Sequence, residues 1–218
     1  ARILKEDYAN CLDRIGNDHV DRILAASLRM NGMIDAVLDQ AQLSQAPLQL
    51  TRVDLSSLSR EIATELQVAA RPPAGDAVPG APVPAEPQVL VSDGLAHMAD
   101  EVLVRRILEN LIGNALKYSN KVAQPRIEVG AVPATNPTVF FVRDNGAGFD
   151  MKHADKLFGL FQRLHSAREF PGTGVGLASV NNIVRRHGGR VWAESEPGKG
   201  ACFYFTLTAS GPAQSGLF

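Results

Sequence analysis

Three short segments in the C-terminal two-thirds of the chain constrain its fold more than any other feature. They are ENLIGNALKYS at residues 109–119, RDNGAGFD at 143–150 and PGTGVGLASV at 171–180. The first indicates a helix, the second a strand that ends in a glycine turn, and the third a glycine-rich entry to another helix. A single glycine cluster usually marks only a turn. In this order, the three predict one site for a nucleotide phosphate chain with a metal ion, and they favour ATP.

The composition suits one medium-sized domain with a smaller element attached. The chain has 218 residues, 45% of them hydrophobic, and a formal net charge of -1. This balance gives no basic field that would favour nucleic acid or anionic lipid. No apolar run reaches the roughly 18 residues of a membrane helix, and no signal peptide is visible. Cys11 and Cys202 match no metal-ligand spacing. We therefore expect a cytoplasmic, reduced protein with no nucleic-acid partner and no direct membrane contact.

The first 45 residues predict a helical hairpin. Apolar side chains in residues 17–43 recur in alternating steps of three and four, which is the seam of a coiled coil or bundle. Residues 14–18 are predicted as a turn, and residues 1–12 as the end of a preceding helix. Two helices cannot bury so wide a stripe, so we expect a homodimer through residues 1–43. The alternative is a single hairpin packed on the neighbouring domain.

The remaining chain predicts an α/β domain at residues 54–210, between a linker or short strand at 46–53 and a loose tail at 211–218. Asp54 or Ser56 would cap its first helix. Six prolines in residues 71–87 predict a surface loop. Two strand pairs with three helices indicate a two-layer α/β sandwich whose sheet is mostly antiparallel. The predicted pairs are Arg126 to Val132 with Thr138 to Arg143, and Arg190 to Glu194 with Ala201 to Thr208.

The helix around ENLIGNALKYS carries oxygen ligands suited to a hard cation. Mg²⁺ prefers oxygen ligands and keeps several waters while it bridges phosphates. Asn114 places a neutral amide oxygen in mid-helix, and Asn110 lies one turn earlier on the same face. Glu109 lies beside Asn110, and Lys117 can reach a phosphate from the next turn. These residues together predict a magnesium and phosphate site.

Asp144 ends an apolar strand and is the candidate for recognising the base. A carboxylate there can accept a hydrogen bond from the exocyclic amine of adenine. Guanine has no amine at that position, so the contact would favour ATP over GTP. Gly146 and Gly148 follow, and they allow a sharp turn with a close approach of the backbone to the base.

The third segment predicts a phosphate-binding helix start. Gly172, Gly174 and Gly176 lead into a helix whose exposed amides can bind phosphate directly. The spacing nearly fits the dinucleotide fingerprint, but no predicted strand precedes it, which excludes a Rossmann context. Before it, Leu157 to His165 holds two phenylalanines and is followed by a polar stretch, which suggests a lid anchored by aromatic side chains.

Taken together, these segments resemble sensor histidine kinases, in the form found in phytochrome-like kinases. ENLIGNALKYS resembles the asparagine box, and RDNGAGFD and GTGVGLASV resemble the two glycine boxes. LFGLFQRLHSAREFPGTG resembles the phenylalanine box with the ATP lid, and HGGRVWAESEPGKGACFYFTL the closing hairpin. The resemblance covers roughly residues 54–208, and residues 1–43 resemble the later part of the dimerisation and histidine-phosphotransfer module. DNA gyrase B, mismatch-repair ATPases and heat-shock chaperones lack such a phenylalanine box and closing hairpin.

The resemblance implies the histidine kinase/gyrase-type ATPase fold, ATP and Mg²⁺ as cofactors, and a response regulator receiver domain as partner. Asn114, with Asn110, would hold Mg²⁺, and Asp144 would bind the adenine amine. Glu109 would match the residue proposed to assist phosphotransfer. The other implied nucleotide contacts are Lys117, Tyr118, Gly146, Gly148, Gly172, Thr173, Gly174, Gly176 and Leu177.

The chain departs from that family at the phosphoacceptor. The family places it in a Ser-His-Asp/Glu-Leu-Arg-x-Pro-like segment, and no such segment occurs here. The chain begins in mid-pattern at Ala1, and His19 lies at the start of the second predicted helix. His187, among three arginines, indicates a solvated helix end. We therefore expect a kinase fragment without its acceptor histidine, which binds ATP but does not phosphorylate itself. The alternatives are a dimeric scaffold with a kinase-like fold and an ATPase that drives a clamp.

Overall fold

The structure is a computed structural model that describes residues 13, 15–27, 30, 47–70, 86–164, 169–170 and 174–208. The predicted helix at 1–12, most of the seam beyond residue 27, the proline-rich loop up to residue 85 and the tail lie outside these residues. None of the helices within the described part is long and apolar enough to cross a membrane.

The first described helix, α1, spans residues 15–27. It begins earlier than predicted, because residues 15–18 form helix rather than a turn. Asp13 supplies the physical reason. Its side chain accepts the N–H of Gly16 at 2.6 Å, and its carbonyl oxygen accepts that of Asn17 at 3.0 Å. These bonds satisfy the donors of the first turn, so one glycine there does not end the helix.

A short strand then leads directly into the second helix. Strand β1 spans Leu50–Asp54 and helix α2 spans Leu55–Ala70. Asp54 is the cap, since its Oδ1 accepts the N–H of Ser57 at 3.0 Å. Ser56 instead bonds across the fold: its hydroxyl donates to the carbonyl oxygen of Ser92 at 2.7 Å. Of the two predicted caps, only Asp54 performs that role.

The later elements follow the predicted alternation. They are β2 (Gln88–Val91), β3 (Ala96–Asp100), α3 (Glu101–Ser119), β4 (Arg126–Val132), β5 (Val139–Asp144), a 3-10 helix (Met151–Lys156), α4 (Gly176–Arg186), β6 (Val191–Ser195) and β7 (Ala201–Thr206). Strand β3 was not predicted. Its sequence, AHMAD, has low intrinsic strand preference, and it forms a strand because β1 pairs with it along all five residues.

The larger sheet has five strands in the order β2-β4-β5-β7-β6. Strands β2 and β4 are parallel, and the other neighbours are antiparallel. The predicted two-layer α/β sandwich with a mostly antiparallel sheet is therefore confirmed. Helices α2, α3 and α4 contribute to one core against this sheet.

Helix α3 lies at the centre of that core. Its buried face repeats at helical spacing and comprises Val104, Ile107, Leu108, Leu111, Ile112 and Ala115. Val102 is apolar and the sequence predicts it on this buried face as well, but it is 68% exposed. Its position does not match the 3.6-residue repeat that the other members follow, so the prediction was wrong at that residue. The opposite face of α3 is free to carry polar side chains.

Asp100 is a junction between the incoming chain and two helices. Its Oδ1 caps α3 by accepting the N–H of Leu103 at 3.3 Å, and its Oδ2 accepts the N–H of Gln49 at 3.1 Å. Its own N–H donates to Nε2 of His187 at 3.1 Å. His187 is fully buried after the end of α4, with Nδ1 at 2.9 Å from the carbonyl oxygen of Ile183. The prediction of a solvated histidine was wrong, because this packing requires a neutral ring with its proton on Nδ1.

Candidate nucleotide site

The polar face of α3 forms one side of a cavity. Asn110, Asn114 and Lys117 are half-buried on this face. The Lys117 ammonium donates to Oδ1 of Asn114 at 3.2 Å. The side-chain amide of Asn110 donates to the carbonyl oxygen of Arg106 at 2.8 Å, one helical turn back. That bond directs the other end of the Asn110 amide, its oxygen, away from α3.

The start of α4 meets this face at Gly176. A Cβ on Gly176 would lie 2.3 Å from Oδ1 of Asn110, so only glycine allows this approach. Val175, the N-cap, provides no side-chain hydrogen bond, which leaves first-turn N–H groups available to an anion. Gly174 has φ +76 and accepts the N–H of Phe161 at 2.9 Å. Gly172 and Thr173 lie outside the described residues.

Asp144 lies at the end of β5, near the C-terminal turn of α3. It is 6% exposed, and its Oδ1 accepts the N–H of Gly146 at 2.8 Å. Burial raises the pKa of this carboxyl to about 6, although the N–H groups of Gly146 and Ala201 oppose the shift. The carboxylate is therefore held by the N–H groups of Gly146, in its own turn, and of Ala201, and it remains mostly ionised at neutral pH.

The glycine turn after Asp144 is fixed by contacts with two other parts of the domain. A Cβ on Gly146 would lie 2.4 Å from the carbonyl oxygen of Tyr118, which instead accepts the N–H of Ala147 at 3.0 Å. Gly148 has φ +60, and a Cβ there would lie 2.1 Å from the carbonyl oxygen of Glu196. The turn is sharp as predicted, and its close approaches are to the protein backbone.

Two adjoining cavities form the site. The first, around Asp144, is lined by Tyr118, Asp144, Gly148, Phe149, Leu157, Gln162, Arg163, Leu164, Leu177, Ala201 and Phe203. The second, along the polar face of α3, is lined by Asn110, Asn114, Lys117, Tyr118, Gln162, Arg163, Gly174, Gly176 and Leu177. Tyr118, Gln162, Arg163 and Leu177 belong to both linings. Because these four residues line both cavities, the carboxylate lies in one cavity and the amides and the lysine in a directly adjoining one.

Of the predicted site residues, Glu109 and Gly146 line neither cavity. The Glu109 carboxylate lies 3.9 Å from Nη1 of Arg105. The guanidinium of Arg105 also contacts Glu61 and Glu65 of α2. Glu109 is therefore on the side of α3 that faces this charged cluster. Gly146 contributes through the turn that positions Asp144. The other described residues of the predicted set lie in one cavity or both.

Sequence reasoning missed Gln162 and Arg163, which line both cavities. Arg163 donates through Nη2 to the carbonyl oxygen of Phe170 at 2.5 Å. Burial, and then the charge of Arg163, lower the pKa of Lys117. These residues follow the 3-10 helix in an irregular segment, where no periodicity indicates direction. The only sequence signal was their position between the two phenylalanines and the last glycine segment.

The predicted aromatic anchoring of this segment is only partly correct. Phe158 packs against the core, but Phe161 is 39% exposed. Phe170, 4% exposed, is the aromatic residue that contacts the cavity wall, with its ring centroid 4.9 Å from that of Tyr118. Residues 165–168 and 171–173, which include most of the predicted lid, lie outside the described residues.

The donor set fits a magnesium–phosphate complex better than a metal held by protein alone. Within the described residues, no group of three or more His, Cys, Asp or Glu side chains could hold a metal ion. Asn110 and Asn114 offer neutral amide oxygens beside a lysine and a helix start. Mg²⁺ accepts such ligands when phosphate oxygens and waters complete its shell.

Comparison with known proteins agrees with this geometry. Residues 99–211 match the family described as histidine kinase-, DNA gyrase B-, and HSP90-like ATPase. The chain is 33% identical over 211 residues to cyanobacterial phytochrome B of Nostoc sp., which covers 95% of this chain and 26% of that protein. It is also 49% identical over 108 residues to the methanogenesis regulatory histidine kinase FilI of Methanothrix harundinacea. That match covers 50% of this chain and 12% of FilI.

A solved structure extends the likeness to most of the chain. Full-length ShkA in complex with AMPPNP superposes with a TM-score of 0.62 at 26% identity, covering 94% of this chain and 42% of that one. The chain thus spans only part of the length of these relatives. The cavity, the family match and these relatives lead to one assignment. The chain belongs to the histidine kinase-, DNA gyrase B- and HSP90-like ATPase family and carries the ATP-binding catalytic domain of a sensor histidine kinase.

Proposed function

We propose that this domain binds Mg²⁺–ATP and presents it as the phosphate donor in a two-component protein-histidine kinase. One observation carries the proposal: four residues line both cavities, and Asp144 lies at one end while Asn110, Asn114 and Lys117 lie at the other. We assign the first end to a base with an exocyclic amine and the second to a phosphate chain. The ShkA structure is a complex with AMPPNP, which supports the same class of ligand here.

At the base end, Asp144 would select adenine. Its carboxylate is buried, so a base that offers it no hydrogen-bond donor would lose more binding free energy than at an exposed carboxylate. With a pKa of about 6, the group is mostly ionised at pH 7 and accepts a hydrogen bond. Phe149 and Phe203, in the same lining, supply apolar surface for a ring. Guanine would present an acceptor to an acceptor, so GTP would bind more weakly.

At the phosphate end, three kinds of group would act together. Lys117 provides positive charge, the start of α4 provides N–H donors, and Asn110 and Asn114 provide amide oxygens for Mg²⁺. Mg²⁺, when bound, neutralises and orients the phosphate oxygens. The role of Glu109 in phosphotransfer remains a proposal from family resemblance, since its carboxylate lies outside both cavities.

The acceptor histidine would come from outside these 218 residues. His187 is fully buried with both ring nitrogens hydrogen-bonded. The Nε2 of His97 is buried and has no partner among the described residues. His19 and His153 are exposed and line neither cavity. His165 lies outside the described residues. We infer that the 218-residue protein binds ATP without phosphorylating itself.

Calorimetric titration tests the nucleotide site. Wild type should bind ATP more tightly than GTP, and removal of Mg²⁺ should weaken ATP binding. Asp144→Asn should lose most of the preference for adenine, about tenfold or more for a buried acceptor. Asn114→Ala should reduce the effect of Mg²⁺. Asp155→Asn, an exposed carboxylate on the 3-10 helix, is the matched control and should behave as wild type.

Equal affinity for ATP and GTP would contradict base selection by Asp144. No binding of either nucleotide would instead favour a scaffold without enzymatic function.

Phosphotransfer and assembly need separate measurements. Incubation with labelled ATP should leave no acid-labile label on this protein. Acid-labile label that appears on wild type and is absent from His19→Gln would contradict our assignment. We also propose a homodimer through residues 1–43 and a response regulator receiver domain as the downstream partner. Light scattering at rising concentration tests the dimer, and a monomer at every concentration would argue against it.

A further inference from the structure

We propose that Phe170 is a positioning residue for the nucleotide, because it fixes two side chains that wall both cavities. The inference rests on the proposed ATP site and concerns how tightly that site is preformed. Phe170 lines neither cavity. Its ring contacts Tyr118, and its carbonyl oxygen accepts from Arg163. Both of those residues line the base end and the phosphate end.

The contacts of Phe170 extend along the C-terminal turns of α3. The Lys117 ammonium lies 4.2 Å from the Tyr118 ring centroid, and the Lys121 ammonium lies 4.7 Å from that of Phe170. Each ring of the tilted pair Tyr118–Phe170, whose centroids lie 4.9 Å apart, thus has one of these ammonium groups over its face. We call Lys117, Tyr118, Phe170 and Lys121 the aromatic latch. Cations over ring faces and tilted ring pairs are both favourable arrangements.

The latch connects the backbone before the last glycine segment to the phosphate end of the site. Phe170 is 4% exposed, so its buried ring anchors the backbone at residues 169–170. Lys117 is held between the Tyr118 ring and Oδ1 of Asn114. Without the Phe170 ring, Tyr118 and Lys117 would gain rotational freedom, which ATP binding would have to remove. The expected result is weaker binding, although no direct contact is lost.

Phe170→Leu and Phe170→Tyr provide a matched pair of variants. Leucine keeps apolar volume but removes the ring, so the Kd for Mg²⁺–ATP should rise about three- to tenfold, the effect of one aromatic pair. Tyrosine keeps the ring and should restore affinity to near the wild-type value. Lys121→Met should weaken binding less, and its effect should vanish in the Phe170→Leu background. Phe161→Leu, a change at an exposed phenylalanine, is the control.

A spectroscopic signature separates positioning from loss of stability. Trp192 is the only tryptophan in the chain. In Trp192→Phe combined with Phe170→Trp, the new indole would report on the latch, and its emission should change when ATP is added. Unchanged affinity in Phe170→Leu, equal weakening in Phe170→Tyr, or constant emission would each overturn the proposal. Failure of wild type to bind ATP would overturn the proposed function instead.

Discussion

Asp144 should make folding and nucleotide binding depend on pH in opposite directions. In the folded protein without nucleotide, burial raises the pKa of Asp144 from 3.8 to about 6. Such a shift favours the folded state at low pH, and the favourable contribution is lost as pH rises through the folded pKa. Binding of the adenine amine, in contrast, needs the ionised carboxylate, so affinity is lost as pH falls.

The magnitudes follow from the same value. A pKa raised from 3.8 to about 6 corresponds to about 3 kcal/mol of unfolding free energy over the whole titration, of which about 2 kcal/mol is lost between pH 4 and pH 7. Asp144→Asn, which cannot ionise, should therefore be more stable than wild type at pH 7 by up to about 3 kcal/mol, and the gain should fall below about 1 kcal/mol near pH 4. If protonation blocks the base contact, ATP affinity should fall about elevenfold at pH 5 relative to pH 8.

Two experiments measure these effects on the same proteins. Urea unfolding from pH 4 to pH 8 gives the stability difference between wild type and Asp144→Asn. Calorimetry over pH 5 to pH 8 gives the ATP affinity. The phosphate groups of ATP also titrate in this range. Dividing the ATP affinity of wild type by that of Asp144→Asn at each pH cancels their effect and leaves the effect of the Asp144 carboxyl.

A constant ratio from pH 5 to pH 8 would refute the role of an ionised Asp144 in binding. An Asp144→Asn protein less stable than wild type at pH 7 would refute the argument that burial of this charge opposes folding.

Three further predictions concern packing around the site. Gly148→Ala should lower the unfolding free energy by more than about 2 kcal/mol, because a Cβ at φ +60 meets the Glu196 carbonyl; urea unfolding measures it. Gly176→Ala should keep the fold by circular dichroism but weaken Mg²⁺–ATP binding in calorimetry, since its Cβ displaces Asn110. Burial lowers the pKa of His187 below 6.5, so wild type should lose stability as pH falls below that value, and His187→Gln should lose less in parallel unfolding experiments.

The sequence predicted those parts of the site that lie on regular elements. Asn110, Asn114 and Lys117 share one helical face because three- and four-residue spacing places them there. Asp144 was identified because a strand of apolar residues ends at it. Both inferences needed only local periodicity.

The remaining features depend on contacts between distant segments. Arg163 and Phe170 lie in irregular chain, and only the folded position of α3 makes them neighbours of the cavity. Strand β3 forms because β1 is available to pair with it, not from its own composition. His187 follows arginines in a segment typical of a solvated helix end, yet the Asp100 amide and the end of α4 enclose it. Local pattern does not report such partners.

The junction at Asp100 has a mechanical consequence for the domain. Leu50 pairs with Asp100 at the end of the β1–β3 ladder, so a force on the incoming chain that is directed across the strands would separate this pair first and the others in turn. The first bond under load would be that of the Gln49 N–H to the side chain of Asp100, the residue that caps α3. Peeling needs less force than shearing all five pairs together. The ladder would therefore open under a small force, and its first broken contact would lie at the N-terminus of α3, the helix that carries Asn110 and Asn114.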